Sequence, residues 1–397
     1  MIAYFLLAAF FISLIFYWLI YVNPKRKFGV NDLYSEGLDL LISGKRKQAY
    51  YNFKNIVKKD TNNIKAYLKL GQVIREGGNA ENALKIHSSI KLRRHLTLVE
   101  KIELYKNLTL DYYNLNDIHS AIKQCNAILN LEKNNDWAIS NLIKFYREIS
   151  DWKNAVKLYE QKQSFSGNHN TKKLALFKIQ YGRQLLKKSL FNESRQIFKE
   201  ALEIEKDIPA AYYFIGSSYA QESQNLFQEE KDNKFDDDNP SEKVKDLLNS
   251  AIPMWIKYTE LKPECSWLVI HLLKDSLFAL NRYHEMESIL ENIIKKDSDN
   301  FEVIASLADI YSSKGENEQS LELIENALEQ DSSSLLIRLI KVKLKLNESI
   351  KNNEVNRDLD ELIQFLVKDK RFHMYKNTST DPDIIWLYDD SGQDSIL

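Results

Sequence analysis

The chain opens on an unbroken apolar stretch and then changes its pattern. Residues 1–22, MIAYFLLAAFFISLIFYWLIYV, contain no charged side chain. As a helix rising about 1.5 Å per residue they would span roughly 33 Å, enough for a hydrocarbon layer of roughly 30 Å. Tyr17, Trp18 and Tyr21 crowd the end of the run and Lys25-Arg26-Lys27 follow it, as aromatic side chains at a headgroup boundary with a basic cytoplasmic flank would. A cleavable leader needs a basic start, a shorter apolar run and a small-residue cleavage site, and none is present here. The pattern predicts a retained transmembrane anchor over 1–22, a basic juxtamembrane linker over 23–30, and the rest of the chain in the cytoplasm.

From residue 31 apolar positions recur three and four apart, as on one face of a helix, and small residues recur at a period close to 34. Gly37, Ala49 and Phe53 are followed 34 residues later by Gly71, Ala83 and His87. Ala121 and Ala155 mark the next two units; Gly182, Phe198 and Ala201 a fifth; Gly216 and Tyr219 open a sixth that resumes at Ala251, Trp255 and Pro263. A degenerate seventh surrounds Tyr283, Met286 and Leu290, and an eighth holds Ala308, Tyr311, Gly315, Ser320 and Ala327. A ninth pair falls near 336–346 and 359–367. Where two helices cross closely only a hydrogen or a methyl group fits, and a bulky side chain fills the space beside it.

These are the spacings of tetratricopeptide helix pairs. The expected fold is all-α: a transmembrane helix followed by a tetratricopeptide-repeat superhelical solenoid of about nine helix pairs and a short tail. The expected divisions are 31–162 for a first subarray, 171–368 for a second, and 369–397 for the tail. The loop KQSFSGNHNT (162–171) reads as a mild hinge between the subarrays. Residues 223–243, SQNLFQEEKDNKFDDDNPSEK, are polar, with Asp236-Asp237-Asp238 and Pro240. They predict an exposed acidic insertion between helices.

Composition narrows the function. Only 11 Gly and 6 Pro occur in 397 residues, which suits a helical protein. Lys and Arg total 55 against 56 Asp and Glu, a net charge of -1, so no global basic field exists to attract nucleic acid. Cys125 and Cys265 lie far apart without a C-x-x-C, so neither a disulfide framework nor a metal knuckle is legible. His284-Glu285-Met286-Glu287-Ser288 begins like a zincin motif, but Ser288 stands where the second histidine must sit. No phosphate loop, dinucleotide fingerprint or nucleophile elbow occurs. No catalytic, cofactor or metal site is expected, and the chain reads as a binding protein.

Stacked helix pairs present the first helix of each pair to a groove. The repeat offsets place Arg75, Lys106, Tyr113, Lys144, Arg147, Arg183 and Tyr213 on that face. Basic side chains interleaved with tyrosines suit an extended acidic or C-terminal peptide. A Lys-rich helical surface would equally show basic residues on any face.

The anchor, followed by Tyr34, Gly37, Leu40-Leu41, Ala49 and Phe53, then Asp60-Thr61, Ala66-Tyr67-Leu68-Lys69-Leu70-Gly71, Arg75, Gly77-Gly78 and Ala83-Leu84-Lys85-Ile86-His87, resembles the lipopolysaccharide assembly protein B family. Leu96-Thr97, Leu108 and Asp111-Tyr112 continue the likeness. The resemblance implies a bacterial inner-membrane protein with cytoplasmic repeats. It implies an adaptor between a membrane AAA protease and the lipid A deacetylase, or a partner of lipopolysaccharide export components. Such proteins end in a metal knuckle of two C-x-x-C pairs. Here Arg371-Phe372-His373-Met374-Tyr375-Lys376 and Ile384-Ile385-Trp386-Leu387-Tyr388-Asp389-Asp390 occupy the tail without a cysteine, so a degenerate, metal-free tail is expected. Two readings stand: an adaptor of the lipopolysaccharide pathway, or a general membrane-tethered scaffold or co-chaperone for cell-envelope complexes.

Overall fold

The computed structural model describes residues 12, 13, 15, 17, 29–93, 95–167, 169–233, 240–330, 334–349, 357 and 359–364. The anchor expected over 1–22, apart from Ile12, Ser13, Ile15 and Tyr17, lies outside the described residues, as do most of the linker and all of the 369–397 tail. Among the described residues no helix is long and apolar enough to cross a membrane.

All regular structure among the described residues is helical. The chain divides into two compact units, Met1–Phe145 and Tyr146–Leu397. The first holds α1 (Val30–Ile42), α2 (Arg46–Lys59), α3 (Ile64–Glu76), α4 (Ala80–Lys91), α5 (Leu98–Asn114), α6 (Ile118–Leu131) and most of α7 (Asp136–Glu148). The second continues with α8 (Trp152–Ser166), α9 (Thr171–Leu186), α10 (Phe191–Ile204), α11 (Pro209–Asn233) and α12 (Glu242–Leu261). After a 3-10 turn at Pro263–Cys265 come α13 (Trp267–Ala279), α14 (Glu285–Ile294), α15 (Phe301–Lys314), α16 (Asn317–Gln330) and α17 (Leu335–Ser349). Most consecutive helices within each unit pack on one another, giving an all-α tetratricopeptide-like array.

Local chemistry fixes where each pair turns. Side-chain oxygens of Asn63, Asn79, Asp117, Asp151, Asn170 and Asn300 accept a backbone N–H from the first turn of the helix that follows. Each such cap is worth about 1 kcal/mol. Thr97 and Glu100 form a reciprocal capping box at α5. Inside every pair except α11–α12, whose connection lies largely outside the described residues, the turn carries one left-handed residue: Gly44, Gly78, Asn116, Ser150, Ser189, Asn281 or Gly315. The next residue's N–H then reaches the carbonyl five positions back, as from Lys45 to Leu40 at 2.8 Å and Asp151 to Tyr146 at 2.7 Å. This closure satisfies carbonyls that the helix end would otherwise leave open.

The small-large pairs pack as the spacing requires. A Cβ on Gly37 would sit 2.8 Å from Phe53, and one on Gly216 would sit 2.5 Å from Trp255 Nε1. Gly71 faces His87 and Gly182 faces Phe198 in the same way. In the first unit Phe53, Ile56, Ala66 and Leu70 form one core patch. In the second, Trp255 and Tyr258 pack with Trp267, Leu273 and Leu290.

Two expected boundaries differ. The segment 223–243 is not an insertion of loop: α11 continues to Asn233 and α12 begins at Glu242. Ser223 is buried, its hydroxyl donating to the Val244 carbonyl at 3.3 Å, and Leu226 and Phe227 are half-buried. The stretch SQNLFQEEKDN has no glycine or proline to stop a helix. The acidic centre 234–239 lies outside the described residues. The 162–171 loop is also shorter than expected, because α8 runs to Ser166 and ends on left-handed Gly167. The division of the chain into compact units falls at residues 145 and 146, in α7.

Candidate partner-binding face

The seven residues expected to face a groove behave in two ways. Arg75 is taken into the interior of the first unit. Its side chain is 7% exposed, and Nη1 lies 2.8 Å from the fully buried Asp111 carboxylate and 3.2 Å from the Asn107 carbonyl. The other oxygen of Asp111 meets His87 Nδ1, while His87 Nε2 lies 3.1 Å from the Leu68 carbonyl. Arg75 is thus a tie between neighbouring repeats, and its expected role at a groove is corrected on that ground.

The remaining six lie beside aromatic rings. In the first unit Lys106 Nζ is 5.6 Å from the Trp137 ring and Lys144 Nζ is 4.3 Å from Tyr113. Tyr113 also packs on Phe145, with centroids 5.1 Å apart. In the second unit Arg147 lies 5.8 Å from Phe177, and Arg183 lies 4.9 Å from Phe214. Tyr213 packs edge-on against Phe214 and Tyr258. The four cation contacts join the first helix of one pair to the first helix of the next, and a ring face attracts a cation at such distances. Burial lowers the Arg147 pKa, against the opposing charge of Glu148, and its Nε lacks a hydrogen-bond partner among the described residues. A guanidinium held in that way strengthens any carboxylate contact offered to it.

Two polar clusters escaped the sequence reading. Arg195 is 7% exposed; it pairs with Glu222 at 2.6 Å, reaches Ser218, and lies over the Tyr219 ring at 4.3 Å. Lys343 is held by Asp309 and Asp360. Burial works to lower its pKa, yet the two carboxylates outweigh it and raise the value. These three line a cavity of about 130 Å³ with Ile270, His271 and Lys274. A second cavity, about 330 Å³, is lined by Tyr213, Ser217, Gln221, Gln224, Trp255 and Trp267. Asp309 and Lys343 are 34 residues apart, so their pairing follows from the repeat period, which was legible, whereas Arg195 to Glu222 has no such signal. The zincin-like segment gives His284 immediately before α14, and the described residues contain no group of acidic, His or Cys side chains fit to hold a metal.

With this geometry in place, comparisons with known proteins decide the ancestry. Residues 303–336 match the tetratricopeptide repeat family model. Lipopolysaccharide assembly protein B of Escherichia coli (strain K12) is 21% identical over 183 residues, 46% of this chain and 47% of that protein. The Haemophilus influenzae protein of that name is 23% identical over 179 residues, 43% and 45% of the two chains. The chain is a distant homologue of lipopolysaccharide assembly protein B. It spans about half the length of the curated relatives it matches. Among solved structures, the MamA protein is similar at 21% identity and TM-score 0.34, over 45% of this chain and 92% of that one. The TPR2AB domain of yeast Sti1 with pHSP90 is similar at 14% and 0.33, over 73% and 96%. The matched repeat at 303–336 lies within an array of helix pairs of the same kind.

Proposed function

We propose that this chain is a membrane-tethered, non-enzymatic adaptor that coordinates lipopolysaccharide assembly by holding protein partners on the first-helix faces of its repeats. The observation that carries the reading is the homology to lipopolysaccharide assembly protein B. The ring-backed cations support it further, since Lys144, Arg147 and Arg183 offer charge to an acidic segment. The apolar run 1–22 and its basic flank support a single-pass protein with cytoplasmic repeats, and the homology supports a bacterial inner membrane. Tethering raises the effective concentration of any partner at that surface, so modest affinity per site suffices. The partners are a membrane AAA protease and the lipid A deacetylase.

Removing 1–22 tests the proposal in cells. The repeats, each stabilised by its neighbours, stay folded, and the deacetylase level on an immunoblot rises as its proteolysis loses coordination. A complete gene deletion that leaves the deacetylase level unchanged refutes the lipopolysaccharide role, and a general envelope scaffold then becomes the better reading.

A further inference from the structure

The turn between α4 and α5 has an unusual surface. Leu92 is 85% exposed, Leu98 55% and Val99 75%, so three large apolar side chains face solvent within eight residues. Their neighbours in sequence are basic, KLRRHLTLVEK over 91–101. Arg93 stiffens the turn, donating to the Thr61 carbonyl at 2.8 Å and lying 4.5 Å from the Tyr67 ring. That bond also ties the α4–α5 turn to the α2–α3 turn.

Antiparallel succession puts both turns at the end of the first unit where α1 begins. Lys58, Lys59, Lys65, Lys91 and Lys101 are all exposed there. The acids nearby are engaged locally: Asp60 accepts the Asn62 N–H, and Glu100 caps Thr97. In sequence, Lys25-Arg26-Lys27 and the apolar run precede α1. Seven residues separate Val22 from Val30, and at full extension they reach roughly 25 Å. A lipid surface is therefore within reach of this end, and apolar tips ringed by lysines match an anionic interface.

We infer that Leu92, Leu98 and Val99 insert into the anionic lipid interface, with the surrounding lysines on headgroup phosphates, as a second membrane contact that fixes how the first unit stands on its tether. This rests on the anchor reading above. The contact orients the first unit relative to the lipid surface.

The test uses the full chain reconstituted in vesicles of phosphatidylglycerol and phosphatidylethanolamine, in phosphatidylcholine vesicles, and in detergent. Flotation reports the anchor, and hydrogen exchange reports residues 91–101. The expected result is flotation with both lipids, and exchange over 91–101 slowed by at least about tenfold in the anionic vesicles only. The double variant Leu98→Asp with Val99→Asp should float normally and lose that protection. Both positions are exposed in the first turn of α5, where acidic side chains suit the helix dipole, so the variant folds. Normal flotation without protection of 91–101 overturns the contact while the anchor stands; equal protection in phosphatidylcholine also overturns it. Failure of the wild-type chain to float overturns the anchor and the contact together. Protection that persists in detergent and grows with protein concentration assigns the surface to a second copy of the chain instead.

Discussion

Arg75 and Asp111, 36 residues apart, form an ion pair of 2.8 Å with both side chains buried. Neither ion keeps its hydration, so the pair is worth little compared with an apolar replacement, yet removing one partner strands the other. Asp111→Ala should therefore destabilise the first unit by about 3–5 kcal/mol, measured by urea unfolding. Replacing Arg75, His87 and Asp111 together with Leu, Phe and Leu should cost far less than the single change. A single-variant loss below about 1 kcal/mol would contradict the buried-charge account.

Ser150 and Ser189 hold left-handed backbone at φ 57° where Gly44, Gly78 and Gly315 stand in equivalent turns. A side chain pays about 1 kcal/mol for that conformation, partly returned when glycine loosens the unfolded chain. Ser189→Gly and Ser150→Gly should each stabilise by about 0.5 kcal/mol, while Gly78→Val should destabilise. The thermal midpoint of each variant checks the order.

Much of the fold is legible in the spacing of these small residues. The Gly37–Phe53 and Gly71–His87 pairs announce two crossing helices, because each demands a hydrogen opposite a ring. What the period could not convey was where polarity hides structure. Gln224–Asn225 and Glu229–Glu230 look like loop by composition, but Ser223, Leu226 and Phe227 give α11 a buried seam. Arg75 was placed on the correct helix and given the wrong role, because its partner Asp111 lies in the next repeat and a charge has no marker of burial in sequence.

Cys125 and Cys265 should make stability depend on alkaline pH. Burial pushes each thiol up from 9.0 to about 11, opposed at Cys125 by a hydrogen bond with Thr109 and at Cys265 by Lys262 and Tyr258. The folded chain then holds protons that the unfolded chain releases, so stability falls as pH rises from about 9 towards about 11 and is unaffected by these groups below that window. Chemical unfolding across this range should show a shallower fall in Cys125→Ala. Thiol alkylation at pH 8 should be slow for both cysteines until urea exposes them.

Arg183 and Arg195 provide the sharpest contrast on the second unit. Both lie over aromatic rings, but Arg195 is closed off by Glu222, Ser218 and Asn192, whereas Arg183 is half-exposed and bonded to Gln180 of its own helix. Arg195→Glu should place two acids together and destabilise by about 2–4 kcal/mol. Arg147→Glu with Arg183→Glu should leave the thermal midpoint within a few degrees, because both residues are only half-buried and the buried Arg147 Nε has no hydrogen-bond partner among the described residues to strand. The same double variant should weaken a fluorescent Asp/Glu-rich peptide by at least about tenfold in anisotropy titrations, each lost charge-assisted contact being worth about 1.5–3 kcal/mol. Wild-type binding should itself fall with added salt, since the contacts are partly exposed. Equal peptide affinity in wild type and the double variant would remove Arg147 and Arg183 from the partner-binding face, however well the variant folds.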